Sequence, residues 1–287
     1  MKALILPNFN KPGSVLSTRL TVQKLLELGL TPMLEPTGAA GAGIESRHGL
    51  IVGGFETLLK DCDVILTIGG DGTILHAVEH SLRADKPLFG INTGRVGFLT
   101  QLESDELDKL VALRERNYTI LHRMLVEATL VDGDTRQSYL ALNDAVLYRG
   151  ESRRIVEIDV ARDGQQVASY RADGVIFSTP TGSSAYNLSA GGPLADPALS
   201  IILMTALAPY SHYHRSIILS PEQTYTVKEL PGDNDSGLAL LMDGTDVGTL
   251  RLGGHLTIRA AAARAQFIDL GLSDFFRRVE IKLRVGN

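Results

Sequence analysis

Between Lys2 and Ile91 short apolar runs alternate with amphipathic segments, and that order admits few folds. Lys2–Leu6 is an apolar run that predicts a first buried strand. Ser17–Leu28 predicts a helix, with Leu20, Leu25 and Leu28 apolar among polar residues and Gly29 ending it. Val64–Ile68 is a continuous aliphatic and β-branched run, the pattern of a strand covered on both faces. Thr73–Leu82 predicts a helix burying Ile74, Leu75, Val78 and Leu82, and Leu88–Ile91 predicts another short strand. A βαβα succession builds a parallel sheet with right-handed crossovers. The glycines and alanines of Thr37–Gly54 have no period and read as a mobile loop.

From about Tyr118 the pattern changes to strands. Tyr118–Val131, Ser138–Tyr148, Arg154–Ala161 and Gln165–Ser178 are separated by turn signals such as Asp132-Gly133-Asp134 and Asp163-Gly164. Further strands are expected at Ser216–Leu219, Thr224–Leu230, Leu238–Met242 and His255–Ala260, with helical interruptions near Ser183–Ser189 and Ala198–Leu207. Asp274–Leu283 is an amphipathic segment whose Phe275, Val279 and Leu283 fall on one helical face. The expected fold is an α/β domain with a parallel sheet over residues 1–102 and a β-rich, β-sandwich-like domain over 103–265. A C-terminal segment, 266–287, follows. The boundary is expected near residues 102 to 118, a stretch that itself looks helical.

Composition narrows the function classes. A formal net charge of −5 argues against sequence-independent nucleic-acid binding, which needs a basic face. One cysteine, Cys62, excludes an intrachain disulfide and suits a reducing compartment. The amino-terminal apolar run is too short for a signal-peptide core, and no apolar stretch approaches the roughly 20 residues needed to span a bilayer. The expected address is cytoplasmic, with neither a membrane nor a nucleic acid as partner.

Ile68-Gly69-Gly70-Asp71-Gly72-Thr73 follows a buried strand and opens a helix. Three glycines let the backbone turn tightly and approach a ligand, and the N–H groups at the start of the following helix favour an anion such as a pyrophosphate. Gly69 and Gly70 are the candidate phosphate loop. Asp71 in such a turn repels a phosphate, so its task is to accept a proton from a hydroxyl or to hold a metal ion bridging phosphates. The bland alternative is a strand-to-helix connection with Asp71 as a helix cap. The motif is neither a Walker loop, lacking the G-K-[ST] ending, nor a G-x-G-x-x-G fingerprint. It looks like the signature shared by NAD kinases, lipid kinases and 6-phosphofructokinases, and alone it does not choose among them.

A second cluster, Asp173-Gly174-Val175-Ile176-Phe177-Ser178-Thr179-Pro180-Thr181-Gly182-Ser183-Ser184-Ala185-Tyr186, is followed by Asn187-Leu188-Ser189-Ala190-Gly191-Gly192-Pro193. Val175–Phe177 predicts a short buried strand that Pro180 and Gly182 break, with Ser183 or Ser184 placed to cap the next helix. This run is similar to the long NAD kinase signature D-G-x-x-x-S-T-P-T-G-S-T-A-Y, with Ser184 where threonine is usual. Leu142-Asn143-Asp144 resembles the family's adenosine-holding pair, and Ile91–Leu99 resembles its G-I-N-x-G-x-x-G-F-L segment.

The resemblance implies an NAD kinase, which phosphorylates the 2′-hydroxyl of the adenosine ribose of NAD. The donor is ATP, another nucleoside triphosphate or polyphosphate, with a divalent metal such as Mg²⁺ carried along with it. Asp71 would be the general base and Gly72 would lie against the substrate. Asn143 and Asp144 would bind the adenosine moiety and Asp173 the nicotinamide ribose. Ser184, Ala185, Tyr186 and Ser189 would line the adenine site with Thr181 nearby. His76, Arg154 and Arg171 fall where the family often places basic residues near phosphates; the alternative for each is a solvated surface cation. The family also implies an active site between the domains, a C-terminal segment returning to the first domain, and a homodimer or homotetramer.

Rival readings are weaker. His76-Ala77-Val78-Glu79-His80 matches H-x-x-E-H, a zinc-ligand pattern, but it sits one turn after a phosphate-type loop. His212 and His214 alternate as on a strand and read as structural. A lipid kinase shares Gly69–Gly72 but leaves Asp173–Tyr186 without a purpose. A non-catalytic NAD-sensing regulator would bind NAD and form no NADP. Met242-Asp243-Gly244-Thr245 receives no ligand.

Overall fold

The computed structural model describes the chain apart from residues 46–47, 95–96, 151–153, 212–214, 232–236, 273 and 285–287, and apart from the side chains of 283 and 284. His212 and His214 therefore lie outside the described residues, as does the side chain of Leu283. The chain forms two units, one of Met1–His122 with Ala265–Asn287, the other of Arg123–Arg264.

In the first unit a parallel ladder runs in the order Leu102–Glu103, Leu88–Asn92, Val64–Gly69, Lys2–Pro7, Thr31–Leu34, Ile51–Val52. Val64–Gly69 is buried at every residue, as its unbroken aliphatic run predicts. Val64, Leu66 and Ile68 join Ala3, Ile5, Phe89 and Ile91 in one core cluster. Leu107, Leu110 and Leu113, from the helical stretch at which the boundary is expected, pack into that same cluster.

The helices depart from expectation in detail. The helix Ser14–Glu27 buries Ser14, Ser17, Thr18, Thr21, Val22 and Leu25, while Leu20 is exposed. Its inner face is built from small hydroxyl residues, which carry no apolar signal. The helix Asp71–Ala84 starts at Asp71 itself and buries Ile74, Ala77, Val78 and Ser81, leaving Leu75 and Leu82 only partly covered. Thr37–Gly54 is not a featureless loop: it holds most of the helix Pro36–Ala42 and the strand Ile51–Val52. Pro36 stands in the first turn, where its fixed φ suits a helix, and the buried residues are only Gly38, Ala39 and Ala42. A helix that packs through such small side chains shows no stripe of large apolar residues.

In the second unit a six-stranded antiparallel sheet has the order Ile217–Leu219, Ile202–Leu207, Gly174–Ser178, Asp144–Tyr148, Leu238–Met242, Thr245–Leu250. A second group of antiparallel pairs joins Gln165–Ala172, Val156–Arg162, Tyr225–Glu229 and the first part of His255–Asp269. Side chains of both, among them Ala145, Leu147, Val175, Phe177, Ile158, Val160, Tyr225 and Ile258, share one buried cluster. That is the arrangement of a sandwich. Thr119–Asp132 and Thr135–Ala141 form a further antiparallel hairpin.

Three expectations fail here. Ala198–Leu207 is not helical, because Ile202–Leu207 is a central strand paired with Gly174–Ser178. Ser138–Tyr148 is two strands broken at Leu142 and Asn143, and Gln165–Ser178 is two strands broken at Asp173. At the first break the chain passes from the hairpin to the six-stranded sheet, and at the second from the second group of strands to that same sheet. Both breaks fall beside or on residues singled out as ligands. Among the described residues no helix is long and apolar enough to cross a membrane.

Candidate functional site

Asp71 is the first residue of the helix Asp71–Ala84 and does not cap it. The cap position is Gly70, in extended conformation at φ −122 and ψ −170, with no side-chain cap hydrogen bond. The Asp71 carboxylate accepts hydrogen bonds from the backbone N–H groups of Phe98, at 2.8 Å, and Leu99, at 3.0 Å. Lys282 Nζ stands 3.8 Å from Asp71 Oδ2 and 4.0 Å from the centre of the Phe98 ring. A carboxylate has about four lone-pair sites, so two backbone bonds orient it and leave capacity for a hydroxyl proton.

The glycines of the turn divide by task. A Cβ on Gly69 would collide with Thr73 Oγ1, which accepts from Asn8 Nδ2 at 3.2 Å, so Gly69 serves close packing. A Cβ on Gly70 or Gly72 would meet nothing within 4 Å, so both leave the turn open to a ligand. A Cβ on Gly97 would run into Asp71 Oδ1 and Thr100 Oγ1. Glycine at 97 is what lets the 97–100 segment bring its N–H groups up to the carboxylate.

In the second unit Asn143 and Asp144 sit on a turn held from two sides. Asp243 accepts from the N–H groups of Leu142 at 2.8 Å, Asn143 at 2.7 Å and Asp144 at 3.2 Å, and its own N–H donates to Asp144 O at 3.0 Å. Asp243 adopts φ 48, an uncommon left-handed conformation that this hydrogen-bond set holds in place. On the other side Thr179 N–H and Ser178 Oγ donate to Asn143 O at 2.8 and 3.3 Å, and Thr179 Oγ1 donates to Leu142 O at 2.5 Å. A Cβ on Gly182 would strike the Asn143 backbone. Much of the Ser178–Gly182 run thus shapes the Asn143–Asp144 turn. Burial raises the pKa of Asp144 to about 7, with the charge of Asp243 adding to it.

Asp173, at the second strand break, pairs with Arg149 at 2.7 Å. It lines a cavity of 350 Å³ together with Tyr148, Arg149, Tyr186, Ser189 and Leu207. Asp173, Tyr186 and Ser189 are thus brought together, and Tyr186 is 45% exposed. Thr181 is buried, and Ser184 and Ala185 are partly so. Ser183 does not cap a helix: its hydroxyl donates to Ala195 O at 3.2 Å and accepts from Ala195 N–H at 3.0 Å. Ser184 Oγ reaches Thr181 O at 3.4 Å. The segment is a short 3-10 turn, Thr181–Ser184, and a four-residue helix, Tyr186–Ser189, too short to present an anion site at its N-terminus.

The basic candidates stand on separate elements. His76 is exposed on the helix Asp71–Ala84, and Arg154 is exposed. Arg171 pairs with Glu157 at 3.2 Å and lies 5.3 Å from the centre of the Tyr210 ring. His80 packs edge-on against Phe55, with ring centres 4.6 Å apart. Among the described residues no three His, Cys, Asp or Glu side chains gather as a metal site, so His76 and His80 lack a third ligand there. Asp243, Thr179, Arg149, Arg278 and Lys282 are the residues that sequence reasoning misses. Thr179 stands in the long signature and Asp243 in the Met242–Thr245 stretch that receives no ligand, while Arg149, Arg278 and Lys282 carry no signal of their own.

Comparison with known proteins follows the same division. Residues 51–116 match the family model described as the ATP-NAD kinase N-terminal domain, and residues 142–270 match the ATP-NAD kinase C-terminal domain. The chain is 34% identical over 287 residues to an NAD kinase of Symbiobacterium thermophilum, covering 98% of each. It is 34% identical over 284 residues to an NAD kinase of Caldanaerobacter subterraneus subsp. tengcongensis, again covering 98% of each. Among solved structures it is similar to yeast NADH kinase complexed with NADH, with a TM-score of 0.84 and 26% identity over 98% of this chain and 86% of that one. It is also similar to an NAD kinase from Archaeoglobus fulgidus in complex with ATP, with a TM-score of 0.77 and 26% identity over 99% of each.

Proposed function

The chain belongs to the NAD kinase family, and from that premise we propose that Asp71 is the general base of its reaction. The enzyme is an NAD kinase with NAD and ATP as substrates, and it phosphorylates the 2′-hydroxyl of the adenosine ribose. Asp71 takes the proton of that hydroxyl as its oxygen attacks the terminal phosphorus in line. One O–P bond forms, the bond to the bridging oxygen breaks, and ADP leaves as NADP is made. Phosphoryl transfer depends on alignment and charge neutralisation more than on covalent chemistry, so a carboxylate fixed by two backbone N–H groups suits the base role. That fixed carboxylate, on a turn open at Gly70 and Gly72, is the observation that carries the assignment.

The remaining assignments rest on the family pattern and on local geometry. Asn143 and Asp144 hydrogen-bond the adenosine moiety, and Asp173 the nicotinamide ribose. Ser184, Ala185, Tyr186 and Ser189 line the adenine site, with Thr181 beside it. His76 and Arg154 act near the phosphates, and Arg171 would leave Glu157 and Tyr210 to do so. A divalent cation such as Mg²⁺ belongs to the nucleotide substrate, whose phosphates bind it and whose charge it offsets. No residue of this chain is assigned to it.

The test is formation of NADP from NAD, or of NADPH from NADH, crossed against ATP and polyphosphate and run on the wild type and on Asp71→Asn. The expected result is NADP from NAD and ATP, with a loss of at least about 10²-fold in turnover for Asp71→Asn and NAD binding retained. Near-normal turnover in Asp71→Asn would remove Asp71 from the base role.

A further inference from the structure

Arg278 lies on the C-terminal helix Phe275–Arg284 and is only 7% exposed, rare for an arginine. Its guanidinium Nη1 donates to the carbonyl oxygens of Thr100 at 2.5 Å, Phe98 at 3.0 Å and Gly97 at 3.5 Å. The same segment turns its Phe98 and Leu99 N–H groups to the Asp71 carboxylate. Peptide groups are planar, so the carbonyls on Arg278 and the N–H groups on Asp71 cannot reorient independently. Four residues on, one helical turn away, Lys282 reaches Asp71 directly at 3.8 Å. One face of this helix therefore bears on Asp71 twice, once through the 97–100 segment and once by charge. Asp71, Asp269 and Glu103 are among the carboxylates whose charge acts on buried Arg278.

We propose that Arg278 is a positioning residue of the kinase reaction, holding residues 97–100 so that the Phe98 and Leu99 N–H groups aim the Asp71 carboxylate. This rests on Asp71 being the base. A guanidinium kept merely for stability has no need to bond the one segment that orients Asp71. The absence of a side chain at Gly97 fits the same reading, since a Cβ there would displace the carboxylate that Arg278 helps to aim. Misplacing a reacting group by about 1 Å costs on the order of 10²-fold in rate.

The experiment is the single-turnover rate of NADP formation with enzyme in excess over NAD at saturating ATP, with the steady-state KM for NAD measured alongside. It is run for Arg278→Met and Arg278→Lys, each in the wild-type and Asp71→Asn backgrounds. Arg278→Met is expected to lose about 30- to 100-fold in rate with KM for NAD within threefold. Arg278→Lys keeps a cationic donor and is expected to recover about tenfold of that loss. In the Asp71→Asn background the same changes should alter the residual rate by less than about twofold, because no base remains to be aimed. A rate within threefold of wild type for both variants overturns the proposal, and so does an equal loss in both backgrounds. If Arg278→Met does not fold cooperatively, Arg278→Lys decides alone: a loss of about 3- to 10-fold seen only in the wild-type background supports the proposal, and a rate within twofold of wild type or an equal loss in both backgrounds overturns it. An Asp71→Asn protein with wild-type turnover would defeat the base assignment. An inactive Asp71→Asn protein beside fully active Arg278 variants would defeat only the positioning role.

Discussion

At Asp144 burial raises the carboxyl pKa to about 7, and the neighbouring charge of Asp243 pushes in the same direction. Burial raises Asp243 as well, but there the N–H groups of Leu142, Asn143 and Asp144 oppose it. Of the two carboxylates, Asp243 is the one the backbone is built to keep charged, so Asp144 takes the proton first. The folded-state pKa of Asp144 lies above its unfolded value near 3.9, so the folded protein binds the extra proton. The stability contribution is therefore full below about pH 4 and is lost as pH rises towards 7. Denaturant unfolding should show stability falling by roughly 2–3 kcal/mol between pH 5 and pH 8, and Asp144→Asn should flatten that slope. Parallel pH curves for the two proteins would show that Asp144 is not the group responsible.

Residues 91–94 and 97–101 are tied to the sheet at both ends, and Gly97 has no side chain where it meets Asp71. Thr93 N–H donates to Gly69 O at 3.0 Å, Gln101 N–H donates to Gly90 O at 2.8 Å, and Asn92 Nδ2 holds the Glu103 carboxylate at 2.8 and 3.1 Å. Between these anchors Gly97 lies against Asp71. In Gly97→Ala the new methyl meets both Asp71 Oδ1 and buried Thr100 Oγ1, so the carboxylate has to give up one or both of its backbone N–H bonds. The expected outcome is a fall in kcat of at least tenfold together with a thermal midpoint lowered by roughly 3–9 °C, read by NADP assay and calorimetry. Unchanged kcat would mean that the carboxylate does not need its present aim. Elements whose information is local are legible in the sequence: Val64–Gly69, Leu238–Met242 and the Asp173–Tyr186 signature announce themselves by run or motif. Elements decided at a distance are not. Nothing near Leu142 reveals that its N–H turns to a carboxylate 101 residues on. Nothing near Gly97 reveals an arginine 181 residues away. Ile202–Leu207 misleads for a different reason, since a short apolar run fits a buried helix or a central strand until its neighbours are known.

At the scale of the whole molecule, the two units have separate cores and separate chemical contents. One cluster draws its buried side chains from residues 3–113 and Ile268, the other from residues 124–258. Asp71 belongs to the first unit, while Asn143, Asp144 and the Asp173 cavity belong to the second. Catalysis and NAD binding should then separate by mutation. A ligand that binds only the folded state stabilises it by about 2.7 kcal/mol at a hundred times its Kd, which for a protein of this size is a midpoint shift on the order of 5 °C. Asp71→Asn should keep that NAD-dependent shift while losing turnover. Asp173→Ala should lose most of the shift at the same NAD concentration. It should fold normally, because the Arg149–Asp173 pair it removes is partly solvated and contributes at most about 1 kcal/mol. Thermal scans of the three proteins with and without NAD make the comparison. A shift absent from Asp71→Asn, or undiminished in Asp173→Ala, would mean that binding does not rest on the second unit in the way its cavity and signature imply.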